Sequence, residues 1–190
     1  MEPIAVVIVV ALVVVAAVMG MAMYNGLVGR RLRVVAAWAQ IDVGLKRRHD
    51  LVPNLVNAVK GYMAFEQTVL ERVAQARARA IAAGGQGRAA QAIAENQLTQ
   101  ALRSLFAVVE SYPDLKANEN VLALQAQLTT TEDQLAGARD DCNAAVRAYN
   151  TAIATFPAAL MAGRMGFSKR EFFAAEPEAE HVPAVEIGPM

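Results

Sequence analysis

Apolar or small residues recur every three or four positions along most of the chain, which is the spacing of one face of an α-helix. The first stripe runs from Trp38 to Ala76 through Ile41, Leu45, Val52, Leu55, Val59, Tyr62, Val69 and Val73, with Arg48 and Glu66 at its two polar positions. A shorter stripe contains Leu98, Leu102, Leu105, Phe106 and Val109. The last contains Val121, Leu124, Leu128, Leu135, Ala138, Cys142, Ala145, Tyr149, Ala152 and Phe156. No comparable stretch alternates with period two, so the pattern predicts an all-α fold, an up-and-down antiparallel bundle of long helices packed at shallow angles.

Two breaks between the stripes predict turns. The "GGQG" stretch (Gly84–Gly87) ends one helix, and the "SYPDLKANEN" stretch (Ser111–Asn120) reverses the chain. Tyr112, Asn118, Asn120, Glu95 and Asn96 are interpreted as cap or turn formers near these helix ends. None of these polar residues is predicted to form a binding site.

Pro53 has two interpretations. Asp50 as an N-cap with Pro53 in the first turn would make Lys46–Asp50 a tight reversal, which gives four helices in a compact bundle. Alternatively, Pro53 only kinks one long helix, because the apolar stripe passes through it unbroken, and the result is an extended hairpin. The four-helix arrangement is favoured, with the kinked hairpin as the alternative.

The N-terminal segment from Ile4 to Met23 is apolar on every face and carries no charge. A helix of this length extends about 30 Å, the thickness of a bilayer's hydrocarbon core. A cleaved signal peptide is the competing interpretation. The region before the run contains Glu2 and no Lys or Arg, and the run is longer than a usual signal core, so a retained transmembrane helix is favoured.

The flanking charges predict the orientation of this helix. Lys and Arg are absent before the span, whereas Arg30, Arg31, Arg33, Lys46, Arg47 and Arg48 follow it. By the positive-inside tendency, the N-terminus is expected outside and the bulk of the chain in the cytoplasm. Ala16 and Gly20 form a small-xxx-small pair, a candidate packing site between two membrane helices.

Composition adds few chemical constraints. The 190 residues carry 18 Lys and Arg against 18 Asp and Glu, so no global charge points to nucleic acid. One cysteine, Cys142, excludes an internal disulfide and a thiolate zinc cluster. The last residues, 174–190, contain prolines and glutamates without periodicity and are predicted to be disordered. The "RMGFSKREFF" segment before them (Arg164–Phe173) is predicted to touch the membrane surface or the bundle through its phenylalanines, or to be a loosely docked helix end.

The chemical candidates do not assemble into an active site. His49 and Asp50 are adjacent, and neighbouring helical residues point about 100° apart, so the carboxylate cannot orient the imidazole in regular geometry. A di-iron bundle needs Glu-x-x-His, but Lys46 stands three residues before His49. The "GGQG" stretch lacks the Gly-Lys-Ser/Thr ending of a phosphate loop. The sequence therefore predicts no enzyme, no metal and no cofactor, and gives His49 a surface or capping role.

The basic triplet is the remaining candidate for function. This cluster is interpreted either as the solvated end of the bundle or as an interaction surface for a partner, and it consists of Lys46, Arg47, Arg48 and Asp50. Contacts with nucleic acid are not expected, because basic residues form no wide stripe with interleaved aromatic residues.

Five blocks of sequence resemble the LemA family. They are "YNGLVGRR", "AWAQIDVGLKRRHDLVPNLVNAVKGY", "AENQLTQAL", "SYPDLKANENVLALQAQL" and "YNTAIATFP", in matching order over about residues 24–173. The resemblance implies a bacterial membrane protein with one N-terminal span and an antiparallel helical bundle, without an established catalytic residue or cofactor. The family-typical polar residues are Asp42, Lys46, Arg47, Arg48, Asp50, Asn54 and Lys60.

Together these observations predict a single-pass protein of the bacterial inner membrane that works as a scaffold or interaction module. Its expected organisation is an outer N-terminus at 1–3, a span at 4–23, a bundle at 24–163, the short segment at 164–173 and the tail at 174–190. The bilayer and further copies of the chain are its expected partners. The alternative function is an adaptor that docks a membrane protease or another envelope machine.

Overall fold

The computed structural model describes residues 2–63 and 66–173, and the predicted disordered tail lies outside the described residues. Within these two ranges the fold is all-α and contains no strand, which confirms the predicted fold class. The helices are α1 (Glu2–Lys60), α2 (Gln67–Ala83), α3 (Arg88–Val109), α4 (Pro113–Lys116), α5 (Glu119–Ala154) and α6 (Ala158–Met161). The turn predicted at Gly84–Gly87 lies between α2 and α3, and the stretch predicted at Ser111–Asn120 contains α4 and the first two residues of α5. Asn118 caps α5, because its Oδ1 accepts hydrogen bonds from the backbone N–H groups of Asn120 and Val121.

Helix α1 passes through Pro53 without a break. The reversal predicted at Lys46–Asp50 is therefore wrong, as is the N-cap role of Asp50, and one long helix is the correct alternative. Proline lacks an N–H group, so the carbonyl of His49, four residues earlier, has no helical donor. Nε of Arg77 on α2 donates to this carbonyl oxygen at 2.7 Å. A side chain from another helix thus replaces the hydrogen bond that Pro53 removes.

The chain divides into two compact units, of which one contains residues 44–135. Its apolar core is enclosed by the C-terminal part of α1, by helices α2, α3 and α4, and by the first half of α5. The predicted stripe positions Leu55, Leu98 and Leu105 are fully buried there. Tyr62 is instead exposed, because the chain leaves the helix after Lys60 and buries Met63.

Gly44 permits a close approach between α1 and α5 in this unit. A Cβ atom added to Gly44 would lie 2.7 Å from Cδ2 and 3.1 Å from Cγ of Leu135. These distances are shorter than a van der Waals contact between carbon atoms. The absence of a side chain on Gly44 therefore makes room for the leucine.

The other unit contains residues 2–43 and 136–172. Leu27, Val34, Trp38 and Ile41 of α1 are buried, as are Cys142, Val146, Tyr149 and Ile153 of α5. The predicted stripe on α5 ends early, because the helix ends at Ala154 and leaves Phe156 exposed. Residues 3–19 of α1 are exposed along their whole length.

The segment 164–172 docks on this unit in a non-helical conformation. The ring of Phe167 packs edge to face against Tyr24, with centroids 5.6 Å apart. The hydroxyl of Tyr149 donates to the carbonyl of Ser168 at 3.0 Å, and Asn150 exchanges two hydrogen bonds with the backbone of Arg170. The prediction of a loosely docked helix end is wrong for these residues, and Phe167 is a bundle contact.

Candidate functional site

The four residues predicted as an interaction surface do not share one environment. Lys46, Arg47 and Asp50 are exposed on α1, whereas the side chain of Arg48 is 0% exposed. Including Arg48 in an exposed surface was therefore wrong. Its place in the first apolar stripe, between Leu45 and Val52, is the reason for its burial, since that face of α1 points into the core.

Arg48 is the centre of a buried network that joins α1, α3 and α5. Its guanidinium forms ion pairs with Glu95 on α3 and Glu132 on α5. Nη1 also donates to the hydroxyl of Thr99 at 2.9 Å, and that hydroxyl donates to the carbonyl of Glu95 at 3.2 Å. Glu95 is completely buried, whereas the side chain of Glu132 keeps 30% of its exposure. The charged groups of three helices thus meet inside the 44–135 unit.

His49 extends the network to α2. Its Nε2 lies 2.9 Å from Oε1 of Glu95, and its side chain is 14% exposed. Its backbone carbonyl accepts the hydrogen bond from Arg77 that compensates for Pro53. The predicted surface or capping role of His49 is wrong, because both its ring and its carbonyl contact other helices.

Glu95 also has a different role from the predicted one. It lies in the second turn of α3, which begins at Arg88, so it does not open that helix. A sequence signal was present, because Glu95 stands three residues before Leu98 and therefore continues the apolar stripe of α3.

The surroundings of Glu95 keep its carboxylate ionised. Burial raises its pKa, but the hydrogen bond with His49 and the positive charge of Arg48 outweigh that effect. The net pKa of Glu95 therefore lies below its ordinary value of 4.5. An ionised carboxylate at this position accepts hydrogen bonds from both α1 residues.

The arrangement is suited to fixing helices rather than to bond-making chemistry. The hydroxyl of Thr99 already donates to a backbone carbonyl, and the Glu95 carboxylate is shared between Arg48 and His49. Within residues 2–63 and 66–173, no group of three His, Cys, Asp or Glu side chains is placed to hold a metal ion. A buried charge cluster of this kind specifies which helices pair and in which register, at a desolvation cost.

The candidate membrane-packing pair lies in the exposed part of α1. Ala16 is exposed, Gly20 is half-buried, and a Cβ on Gly20 would meet nothing within 4 Å. The role of this pair in packing two membrane helices stays a prediction.

These features define an all-α protein whose N-terminal helix is long and apolar enough to cross a membrane, which supports membrane association. The particular family follows from its sequence pattern: the chain belongs to the LemA family, whose pattern matches residues 37–187. The match extends beyond Phe173, past the range of about 24–173 covered by the resembling blocks.

Curated relatives include the magnetosome protein MamQ of Magnetospirillum gryphiswaldense, which is 26% identical over 83% of this chain and 66% of its own length. Magnetosome proteins MamQ 1 and MamQ 2 of Paramagnetospirillum magneticum have the same identity and coverage. The chain thus spans 66% of the length of these relatives.

Proposed function

We propose that this protein is a membrane-anchored helical scaffold of the bacterial inner membrane, without catalytic activity of its own. In this proposal residues 4–23 span the membrane once, with the N-terminus outside, and residues 24–163 form a cytoplasmic helical bundle. Residues 164–173 complete the bundle. The association of the relatives with magnetosomes belongs to those proteins, and the proposal for this chain is limited to anchoring and protein contact.

The exposed apolar N-terminal stretch of α1, residues 3–19, is the observation that carries the proposal. None of the residues in its most apolar window is buried against the protein. Leaving so many valine and leucine side chains in water would cost about 1.5–3 kcal/mol for each one. A lipid environment removes this cost, and the backbone polar groups are already satisfied within the helix.

The interaction role rests on how the buried network orients α1. Successive helical residues are separated by about 100°, so Lys46 and Asp50 project about 160° away from Arg48. Because the ion pairs of Arg48 fix its side chain inside the unit, the opposite face of α1 presents Lys46 and Asp50 to solvent, beside Arg47. A rigid helix with exposed charges presents a fixed arrangement of charges to a partner. Anchoring in the membrane also raises the local concentration of the protein, which makes weak lateral contacts effective.

The test is the mass of the full-length protein extracted in a mild detergent, measured by native mass spectrometry. The test variant is Lys46→Glu/Arg47→Glu. The matched control is Arg72→Glu/Arg79→Glu, which makes the same charge change at two exposed positions of α2. Both double variants are compared with the wild-type protein at equal concentration.

A defined homo-oligomer that the test variant loses and the control keeps would support the scaffold. A monomer bound to a stoichiometric foreign protein would favour the adaptor. A monomer with no bound protein would contradict both. A Gly20→Leu variant tests the Ala16 and Gly20 pair separately, because it changes only the membrane helix.

A further inference from the structure

The segment that follows α5, which ends with α6, exposes three large apolar side chains. Phe156 is 77% exposed, Leu160 is 71% exposed and Met161 is 45% exposed. We call Phe156–Met161 the apolar tip. Three such residues within six positions are more than the scattered apolar residues that normally occur on a protein surface.

The apolar tip is held in place by its neighbours. Ala158 and Ala162 are buried, and the N–H of Ala162 donates to the carbonyl of Ala158 at 2.8 Å. The N–H of Ala159 donates to the carbonyl of Thr155 at 3.0 Å, which ties the tip to the end of α5. The buried alanines therefore fix the direction in which Leu160 and Met161 project.

The tip lies beside the end of the apolar span. A groove of about 700 Å³ is lined by Ala22 and Met23 on α1 and by Phe156 and Ala158 on the tip. On α1 it extends to Arg30, about 10 Å of helix beyond Met23. The span ends at Met23, so the groove begins where α1 would leave the hydrocarbon core.

The groove is positively charged. Two of its lining residues carry a charge, and both are arginines, Arg30 on α1 and Arg147 on α5. Both are exposed, so their guanidinium groups are accessible to a ligand from solvent or from the lipid surface. Guanidinium groups pair with phosphate oxygens, and the phosphates of a bilayer lie in the headgroup layer just outside its hydrocarbon core.

From these positions we infer that the apolar tip and the groove form a second membrane-contact site, which binds an anionic glycerophospholipid. Phe156, Leu160 and Met161 enter the bilayer interface, and Arg30 and Arg147 bind the lipid phosphate. The inference rests on the proposed membrane anchor, because the lipid is identified from continuity with the span. Two contacts, the span and the tip, would then fix the depth and rotation of this unit at the bilayer.

The test uses full-length protein in vesicles, with a fluorescent NBD label on single cysteines in a Cys142→Ala background. Leu160→Cys reports on the tip. Val13→Cys reports on the span, and Ser104→Cys reports on an exposed polar position of α3. Vesicles contain equal phosphatidylcholine and phosphatidylglycerol, with nitroxide quenchers both near the headgroup and along the acyl chains of one lipid or of the other, so that labels at the interface and at the bilayer centre are both within reach. Circular dichroism confirms equal helicity of all variants.

The inference expects quenching at positions 13 and 160 and none at 104. At position 160 the phosphatidylglycerol quencher should be at least about twofold more effective than the phosphatidylcholine quencher, since each arginine attracts anionic lipid. Arg30→Gln/Arg147→Gln should make the two quenchers equal. The control Arg31→Gln/Arg33→Gln removes two exposed arginines of α1 that do not line the groove, and it should keep the difference.

Other outcomes would overturn the inference in distinguishable ways. Quenching at 13 but not at 160, with a water-like spectrum at 160, would keep the anchor and reject the contact site. An apolar spectrum at 160 without lipid quenching would mean that protein, such as a second copy of the chain, covers the tip. Equal quenching by both lipids in the wild-type groove would reject the headgroup site. No quenching at 13 would reject the proposed anchor and the contact site together.

Discussion

The network around Arg48 makes a quantitative prediction for Arg48→Met. Methionine fills a similar volume but leaves Glu95 as a fully buried carboxylate without the guanidinium of Arg48, with only His49 beside it. Removing one member of a buried ion pair typically lowers the free energy of unfolding by about 3–5 kcal/mol. For a chain of this size, each kcal/mol changes the melting temperature by about 2–4 °C, so the expected decrease is roughly 6–20 °C.

Thermal unfolding of the detergent-solubilised, full-length protein, followed by circular dichroism, measures this decrease. Arg47→Met is the matched control, because it removes the same charge from the adjacent, exposed position and should change stability by at most about 0.5 kcal/mol. The double variant Arg48→Met/Glu95→Gln should recover part of the loss, since the unpaired charge is also removed. Equal melting temperatures for Arg48→Met and Arg47→Met would refute the reasoning.

Four further perturbations test other parts of the structure. Because the folded pKa of Glu95 is lowered, its stabilising contribution should be complete above the unfolded value of 4.5 and should disappear as the pH falls from there through the folded pKa. The melting temperature should therefore decrease in acid, and Glu95→Gln should make this decrease smaller. Gly44→Ala should lower the free energy of unfolding by about 1–3 kcal/mol through overpacking, whereas Gly137→Ala, with open space around it, should raise it by about 0.5–1 kcal/mol in chemical denaturation. Leu55→Asp buries a charge in the core, so its circular dichroism should show no cooperative transition for the 44–135 unit; a normal transition would mean that this helix face is wrongly placed. Arg77→Met should speed hydrogen exchange of the α1 amides after the proline and leave those before it unchanged.

The helices could be predicted from the sequence because their buried apolar residues recur every three or four positions. Leu98, Leu102 and Leu105 are buried together on one face of α3. The apolar run of α1 can be recognised without knowing how the helices pack against one another. The position of Arg48 within the first stripe also indicated burial. Its interpretation as part of an exposed cluster followed from the incorrect reversal, which would have placed Lys46–Asp50 at a helix end.

The network itself could not be predicted, because it depends on how three helices pair and in which register. Arg48 is separated from Glu95 by 47 positions and from Glu132 by 84 positions, and no local pattern connects them. The consequence for His49 is a changed expectation. A surface or capping role would let His49→Ala leave folding almost unchanged, whereas loss of its bond to buried Glu95 should lower the free energy of unfolding by about 1–3 kcal/mol.

The hydrogen bond from Arg77 to the carbonyl of His49 has a consequence for the order of folding. Before α2 has docked, that carbonyl has no donor within the chain, and the residue before a proline disfavours helical geometry. The part of α1 beyond Pro53 should therefore become helical only together with α2, whereas the apolar N-terminal part can form as soon as it enters lipid. The length of α1 thus depends on the folded state of its neighbour, and opening of α2 would shorten α1 from its Lys60 end.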